Sequence, residues 1–346
     1  MVASRSGGLY LLLPPGLLSD LVRADQLSVV NLVKSFLIRE SVETQGSHHA
    51  ASDHAREVIH RLDRDFVIVN LSIMNDPDLR AAADPASHDR YFGIVRVTGL
   101  VQPLVVRSIL DAKRRFHDAM VSAYARCDQQ SYSGIGVGLT AALAHLAGET
   151  PPRLTVPDRP PAGRSSEAPA GRWVLGHQIF AAMTQCIIIA MNSFEIAMNA
   201  QDRAAAGGAL DLAATFLLAS ASAFRFTADF PAASYSQEIR PSMGPEHVGS
   251  GFSGLLSEDH RHLVDVMVRT RPLMGKAAAA LPEQHRRVSA ALSYVYDDHK
   301  LVCARFGGAE GSSLRSDACS EVPGVVLLDR FKRARTRLLT PMAKVR

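Results

Sequence analysis

Apolar residues recur at three- and four-residue spacing over 24–40, 51–64 and 103–130, the pattern of helices that bury one face. Two long helical stretches follow at 172–202 and 204–228, and a proline-punctuated connection runs through "YSQEIRPSMGPEHVGSGFSGL". Ser257 is placed to cap a helix from 258 to about 275. Pro282 suits the first turn of another helix, which Gly307-Gly308 ends. Between the two halves, residues 149–171 hold prolines at 151, 152, 157, 160, 161 and 169, and this stretch reads as a loop. The run "FVIVNLSIM" at 66–74 fits a short strand or a buried helix equally well, and "GIGVG" at 134–138 reads as a loop-to-helix joint. No repeat period is visible. The pattern predicts one all-α domain over 1–346, a helical bundle with a surface loop at 149–171 and a C-terminal tail at 307–346.

Two apolar segments need separate treatment. "LYLLLPPGLL" near the start has the hydrophobicity of a signal peptide. Pro14-Pro15 interrupts it, however, only Arg5 flanks it, and no small-residue cleavage site follows, so it reads as a docking arm. Residues 174–198 are long and apolar enough to consider as a membrane span. Yet Gln178, Gln185, Asn192 and Asn199 recur every seven residues on one stripe, with Glu195 beside them. A buried bundle helix accommodates that stripe and lipid does not, so no membrane association is expected.

Composition adds little to this picture. The chain is 47% hydrophobic and 6% aromatic, with a net charge of +4, which does not call for a nucleic-acid partner. Arg330 to Arg346 carries seven Lys/Arg without interleaved aromatics and reads as a solvated terminus. No helix-turn-helix stands out. Cys127, Cys186, Cys303 and Cys319 are too scattered for a disulfide framework or a metal knuckle, so a reducing cytoplasm is the expected compartment.

The candidate chemistry lies in the last third of the chain. In the helix beginning near 282, Val288, Leu292, Val295, His299, Val302 and Phe306 share one apolar stripe, and Cys303 follows His299 by about one turn, roughly 6 Å along the axis. Were His299 to ligate a haem iron, Cys303 would reach the ring edge that bears the vinyl groups. A core histidine beside a small buried cysteine would give the same spacing. Upstream, "SEDHRHLVDVM" sets His260 on a face with Leu263, Val264 and Met267, in the first turn, where the helix dipole keeps an imidazole neutral. Zinc on either pair, Asp259-x-x-His262 or His260-x-His262, would lack a good third ligand. In "YSQEIRPSMGP", Arg240 can fork onto a substrate carboxylate or simply pair with Glu238, and Tyr235 stands nearby.

Taken together, H-x(38)-H-x-x-x-C (His260, His299, Cys303) and the Y-x-x-E-I-R-P element (235–241) resemble the histidine-ligated haem-dependent aromatic oxygenases, the all-helical superfamily of tryptophan 2,3-dioxygenase. Within it, the chain is most similar to the 3-methyl-tyrosine hydroxylases of saframycin-type tetrahydroisoquinoline antibiotic biosynthesis. The resemblance spans about 235–306, and residues 1–170 contribute no motif to it.

The resemblance implies a tryptophan 2,3-dioxygenase-like bundle enclosing haem, with His299 as axial ligand and one thioether to Cys303. It implies His260 as second axial ligand at rest and as the catalytic group, with Arg240 and Tyr235 binding the substrate. The reaction implied is hydroxylation of 3-methyl-L-tyrosine beside its phenol, giving 3-hydroxy-5-methyl-L-tyrosine. The oxidant would be hydrogen peroxide, or dioxygen with an external reductant, and a homodimer is expected. Side chains alone provide no electrophilic oxygen, so a cofactor is needed for such a reaction. A bis-histidine haem electron carrier or sensor is the alternative, and it would need no carboxylate clamp at Arg240.

Overall fold

The computed structural model describes residues 9–23, 27–43, 48–66, 85–121, 129–155, 169–248, 252–307 and 322–340. Residues 67–74 of the ambiguous apolar run, 156–168 of the proline-rich loop, Cys127 and Cys319 lie outside these segments.

Helices α6 (Pro169–Asn199) and α7 (Arg203–Thr227) form the central hairpin and pack on each other along their lengths. The turn between them is tight. Gln201 adopts a left-handed φ of 60°, and the Asp202 carboxylate caps α7 by accepting from the Ala205 N–H at 2.9 Å. Both helices are apolar enough to cross a bilayer, yet 83% of each apolar window is buried inside the protein. The polar stripe on α6 shows why this is a bundle helix. Gln178 donates to the Phe92 carbonyl at 2.8 Å, Gln185 to the Leu13 carbonyl at 2.8 Å, and Asn192 accepts from Arg269 at 2.8 Å. Each buried amide thus has a protein partner in place of water.

One side of the hairpin is covered by α4 (Val101–Val121) and α5 (Gln129–Leu146), on which α1 (Leu27–Glu43) and α2 (His48–Asp65) pack in turn. The glycines at 134–138 are inside α5, not at a loop-to-helix joint as the sequence reading had them. Helix contact explains their presence. A Cβ at Gly138 would lie 2.4 Å from the Ala219 Cβ, and one at Gly134 would lie 2.4 Å from the Ser222 hydroxyl, so α5 can approach α7 closely only without side chains there.

The opposite side carries α11 (Glu258–Ala280) and α12 (Pro282–Gly307), the former on α6 and the latter on α7. Ser257 caps α11 by accepting from the His260 N–H. The basic tail departs from the solvated terminus expected of it. Residues Gly324–Leu339 form a helix, α13, that docks on α11 and α12. Its Leu328 and Leu339 are buried, and Lys332 reaches Asp297 at 2.8 Å, while Arg330, Arg333 and Arg337 face solvent. Charge count alone concealed this amphipathic face.

The N-terminal arm docks as a strand, β1 (Tyr10–Leu12), parallel to β2 (Ile94–Arg96), in the one small sheet of the described residues. Tyr10 is fully buried, and its hydroxyl donates to the Ser108 carbonyl at 2.8 Å. Short helices complete the chain: α3 (Pro85–Tyr91) just before β2, and α8 (Ala232–Ser234), α9 (Arg240–Ser242) and α10 (Pro245–Val248) between α7 and α11.

The glycine contacts give a paired expectation for urea unfolding. Gly138→Ala forces α5 off α7 and costs about 1–3 kcal/mol. Gly136→Ala, in the same helix with nothing within 4 Å of the added Cβ, stabilises by up to about 1 kcal/mol through helix propensity.

Candidate functional site

The start of α11 is held by a buried charge cluster. Asp259 is fully buried and takes two hydrogen bonds from Arg96, Nη1 to Oδ1 at 2.9 Å and Nη2 to Oδ2 at 2.7 Å, plus one from Gln185 at 2.8 Å. Arg96 also bonds Asp89 on α3 at 2.7 Å and the Leu13 carbonyl at 3.0 Å. Burial opposes the charge of Arg96, but Asp259 and then Asp89 reverse that effect and raise its pKa above the ordinary value. This clamp fixes the backbone of His260, the next residue in the chain.

His260 and His299 come from adjacent helices and are brought together. Each ring is half-buried. His299 stacks on Phe224 of α7, with centroids 4.5 Å apart and planes 16° from parallel. Burial lowers its pKa to about 4, and charge on His260 would lower it further. His260 is likewise lowered to about 4, first by burial and then by Arg335 and His88. Both imidazoles are neutral near pH 7, the form that binds a metal through a ring nitrogen.

Cys303 is half-buried, and burial pushes its thiol up to about 11. It is therefore a neutral thiol, not a thiolate. Tyr235 lies close enough to feel Cys303, stacks nearly flat on Phe306 at 4.4 Å, and meets Trp173 edge-on at 5.7 Å. The Arg240 guanidinium hydrogen-bonds the Tyr235 hydroxyl. The two residues bracket a π-helical turn, Tyr235–Ile239, closed by the Arg240 N–H on the Tyr235 carbonyl. Pro241 lacks an N–H, and its ring crowds the carbonyl four residues back, which favours this wider turn. Glu238, the surface partner considered for Arg240, is exposed. Among the described residues no group of three or more His, Cys, Asp or Glu side chains could hold a metal ion, and Asp259, a ligand in the zinc alternative, is committed to Arg96 and Gln185.

The sequence profile of the family described as SfmD 3-methyl-L-tyrosine peroxygenase matches residues 29–287. The chain belongs to this family. A 3-methyl-L-tyrosine peroxygenase from Streptomyces lavendulae is 28% identical over 255 residues, which cover 73% of this chain and 70% of that protein. The crystal structure of reduced SfmD, obtained by soaking with sodium hydrosulfite, matches with a TM-score of 0.65 at 23% identity and covers 85% of this chain and 97% of that one. At that identity the likeness concerns the all-α fold alone. The matched segment contains Tyr235, Arg240 and His260 and stops before His299 and Cys303.

Three further residues of this peroxygenase family member enter the site without having been singled out by sequence: His88 on α3, His177 on α6 and Arg335 on α13. His88 lies within electrostatic range of both His260 and His177. His177 stacks on Phe92 at 4.0 Å and sits one turn after Trp173, whose carbonyl accepts from His177 Nδ1 at 2.7 Å. That bond fixes the tautomer and leaves Nε2 as a hydrogen-bond acceptor. Burial, then charge on His88 and His299, holds the His177 pKa down to about 3, although its bond to Trp173 acts the other way. The available signal was the single tryptophan of the chain, followed four residues later by a histidine on a core helix.

A pH test follows from this depression. Above the ordinary histidine value, 6.5, neither folded nor unfolded His177 is protonated, and its contribution to stability is fully present. As the pH falls below that value only the unfolded chain takes the proton, so stability declines down to the folded value near 3. His177→Phe keeps the stack and removes the titration. The stability difference between wild type and variant is expected to shift by up to about 1.4 kcal/mol per pH unit between about pH 6 and pH 4, measured by urea unfolding.

Proposed function

We propose that this chain hydroxylates 3-methyl-L-tyrosine ortho to its phenol and carries haem for the purpose, with His299 and His260 as axial ligands and Cys303 as a single thioether anchor. The observation that supports this best is the convergence of two neutral imidazoles, from α11 and α12, with a neutral thiol one turn beyond one of them. The donor set fits haem. A thiol near 11 is a poor iron ligand but can add across a vinyl group, S–H across C=C, with no oxidant required.

When bound, haem supplies the electrophilic oxygen that side chains lack, and the balance is 3-methyl-L-tyrosine plus hydrogen peroxide giving 3-hydroxy-5-methyl-L-tyrosine plus water. Hydrogen peroxide is favoured over dioxygen with a reductant because the family is described as peroxygenases. The protein's own part is to hold and orient. His299 is kept rigid by its Phe224 stack, and Arg240 is the partner for the amino-acid carboxylate, with Tyr235 fixing its fork. His260 acts as the distal acid–base group. Since the Arg96–Asp259 clamp fixes its backbone, release of His260 from a bound haem would take place by side-chain rotation. The electron-carrier alternative gives the Tyr235–Arg240 pair no task.

The test is spectroscopic and chemical. Purified protein is expected to show a Soret band that survives acidic organic extraction, and to add one oxygen atom to 3-methyl-L-tyrosine when given hydrogen peroxide. In Cys303→Ser the haem should become extractable while the ligated-haem spectrum persists. Absence of haem, or free extraction from the wild type, would overturn the assignment.

For the substrate, Arg240→Leu removes one half of a charge-assisted pair and is expected to weaken amino-acid binding by about 2–5 kcal/mol without lowering haem content. Equilibrium titration of the Soret band with 3-methyl-L-tyrosine measures this.

A further inference from the structure

Helix α13 turns one cation inward. Its other basic residues are spoken for: Lys332 pairs with Asp297, and Arg330, Arg333 and Arg337 are exposed. Arg335 is half-buried, hydrogen-bonds the Tyr296 hydroxyl of α12, and lies within electrostatic range of His260. Its Nε is buried with no acceptor, and among the described residues no carboxylate pairs with it. A buried guanidinium N–H with no acceptor is costly, and an anion beside it satisfies both the donor and the charge. The described residues do not supply that anion.

Helix geometry indicates which carboxylate. Tyr296 precedes His299 by three residues and Cys303 follows it by four, so the two flank the histidine along α12 on nearly the same face. Haem carries its vinyl groups on one edge and its two propionates on the opposite edge. A thioether at Cys303 would turn the vinyl edge toward the C-terminal end of α12. The propionate edge would then face the Tyr296 side, where Arg335 lies.

We propose that Arg335, carried by the C-terminal helix and steadied by Tyr296, is a haem-propionate ligand of this enzyme. The proposal rests on the haem reading above. It makes α13 a wall of the cofactor site, although α13 lies beyond the segment that matches the family.

The experiment uses the full-length chain as the haem-free Cys303→Ser variant, so that porphyrin binding is reversible. It is titrated with haem and with haem dimethyl ester, whose propionates carry no charge. With Arg335 in place, haem is expected to bind about tenfold or more tightly than its diester. Arg335→Gln should bring haem down to the level of the diester and leave diester affinity unchanged, and Arg335→Lys should recover part of the difference. Several results would overturn the proposal: no preference for haem over diester, an equal loss for both porphyrins in Arg335→Gln, or loss of the preference in Arg240→Leu instead. Another is a weakened affinity of haem-loaded Arg335→Gln for 3-methyl-L-tyrosine with haem binding unaltered, which would give Arg335 to the substrate carboxylate. Failure of both porphyrins to bind any variant would refute the haem reading itself. The comparison of haem with its diester at Arg335 needs no change at that position, so the test stands even if Arg335→Gln folds poorly.

Discussion

The Arg96 guanidinium is the point at which distant parts of the chain meet. It bonds Asp89 on α3, Asp259 at the start of α11 and the Leu13 carbonyl of the N-terminal arm, and Asp259 also receives Gln185 from α6. Four segments, from Leu13 near the start of the chain to Asp259 on α11, thus gather around one cation and its carboxylate. Such a cluster tolerates little editing, because removal of one carboxylate leaves uncompensated charge in a low-dielectric interior, at a cost of about 3–5 kcal/mol. It fixes the start of α11 and with it the backbone of His260, so the arm and the strand pair bear on that histidine from a distance.

The short helix α3 extends the same logic. Three of its residues, and Phe92 just after it, each face a different structure. His88 approaches His260, Asp89 grips Arg96, the Tyr91 hydroxyl bonds Ser242 at 2.7 Å, and Phe92 lies flat against His177. A helix of seven residues therefore ties the imidazole cluster to the Tyr235–Arg240 turn. Aromatic contacts continue from there through Trp173 and Tyr235 to Phe306, with Cys303 close to Tyr235.

What the sequence could reveal follows from the range of the interactions. Helix positions were legible because periodicity and caps are local: Ser257 and Pro282 mark starts that the structure places at Glu258 and Pro282. His260, His299 and Cys303 were singled out by the family resemblance, and by spacing alone a core histidine beside a buried cysteine would look the same. The glycines of α5 were misread because their reason is a contact with Ala219 and Ser222, some eighty residues away in sequence. The tail was misread because its basic residues outweighed an apolar face only three or four residues wide. His88, His177 and Arg335 carry no motif and become site residues only when α3, α6 and α13 converge. Arg96 and Asp259 are likewise ordinary charged residues in sequence, and only burial makes them a clamp.

The place of α13 in the chain bears on how the protein is made. Chains fold largely from the N-terminus as they leave the ribosome, at about 5–20 residues per second. The α6–α7 hairpin and the helices carrying His260, His299 and Cys303 are all synthesised before Gly324–Leu339 emerges. During that interval the faces of α11 and α12 that α13 covers stay open, and Arg335 is absent from the neighbourhood of His260. Docking of the last helix then supplies the cover and the cation together.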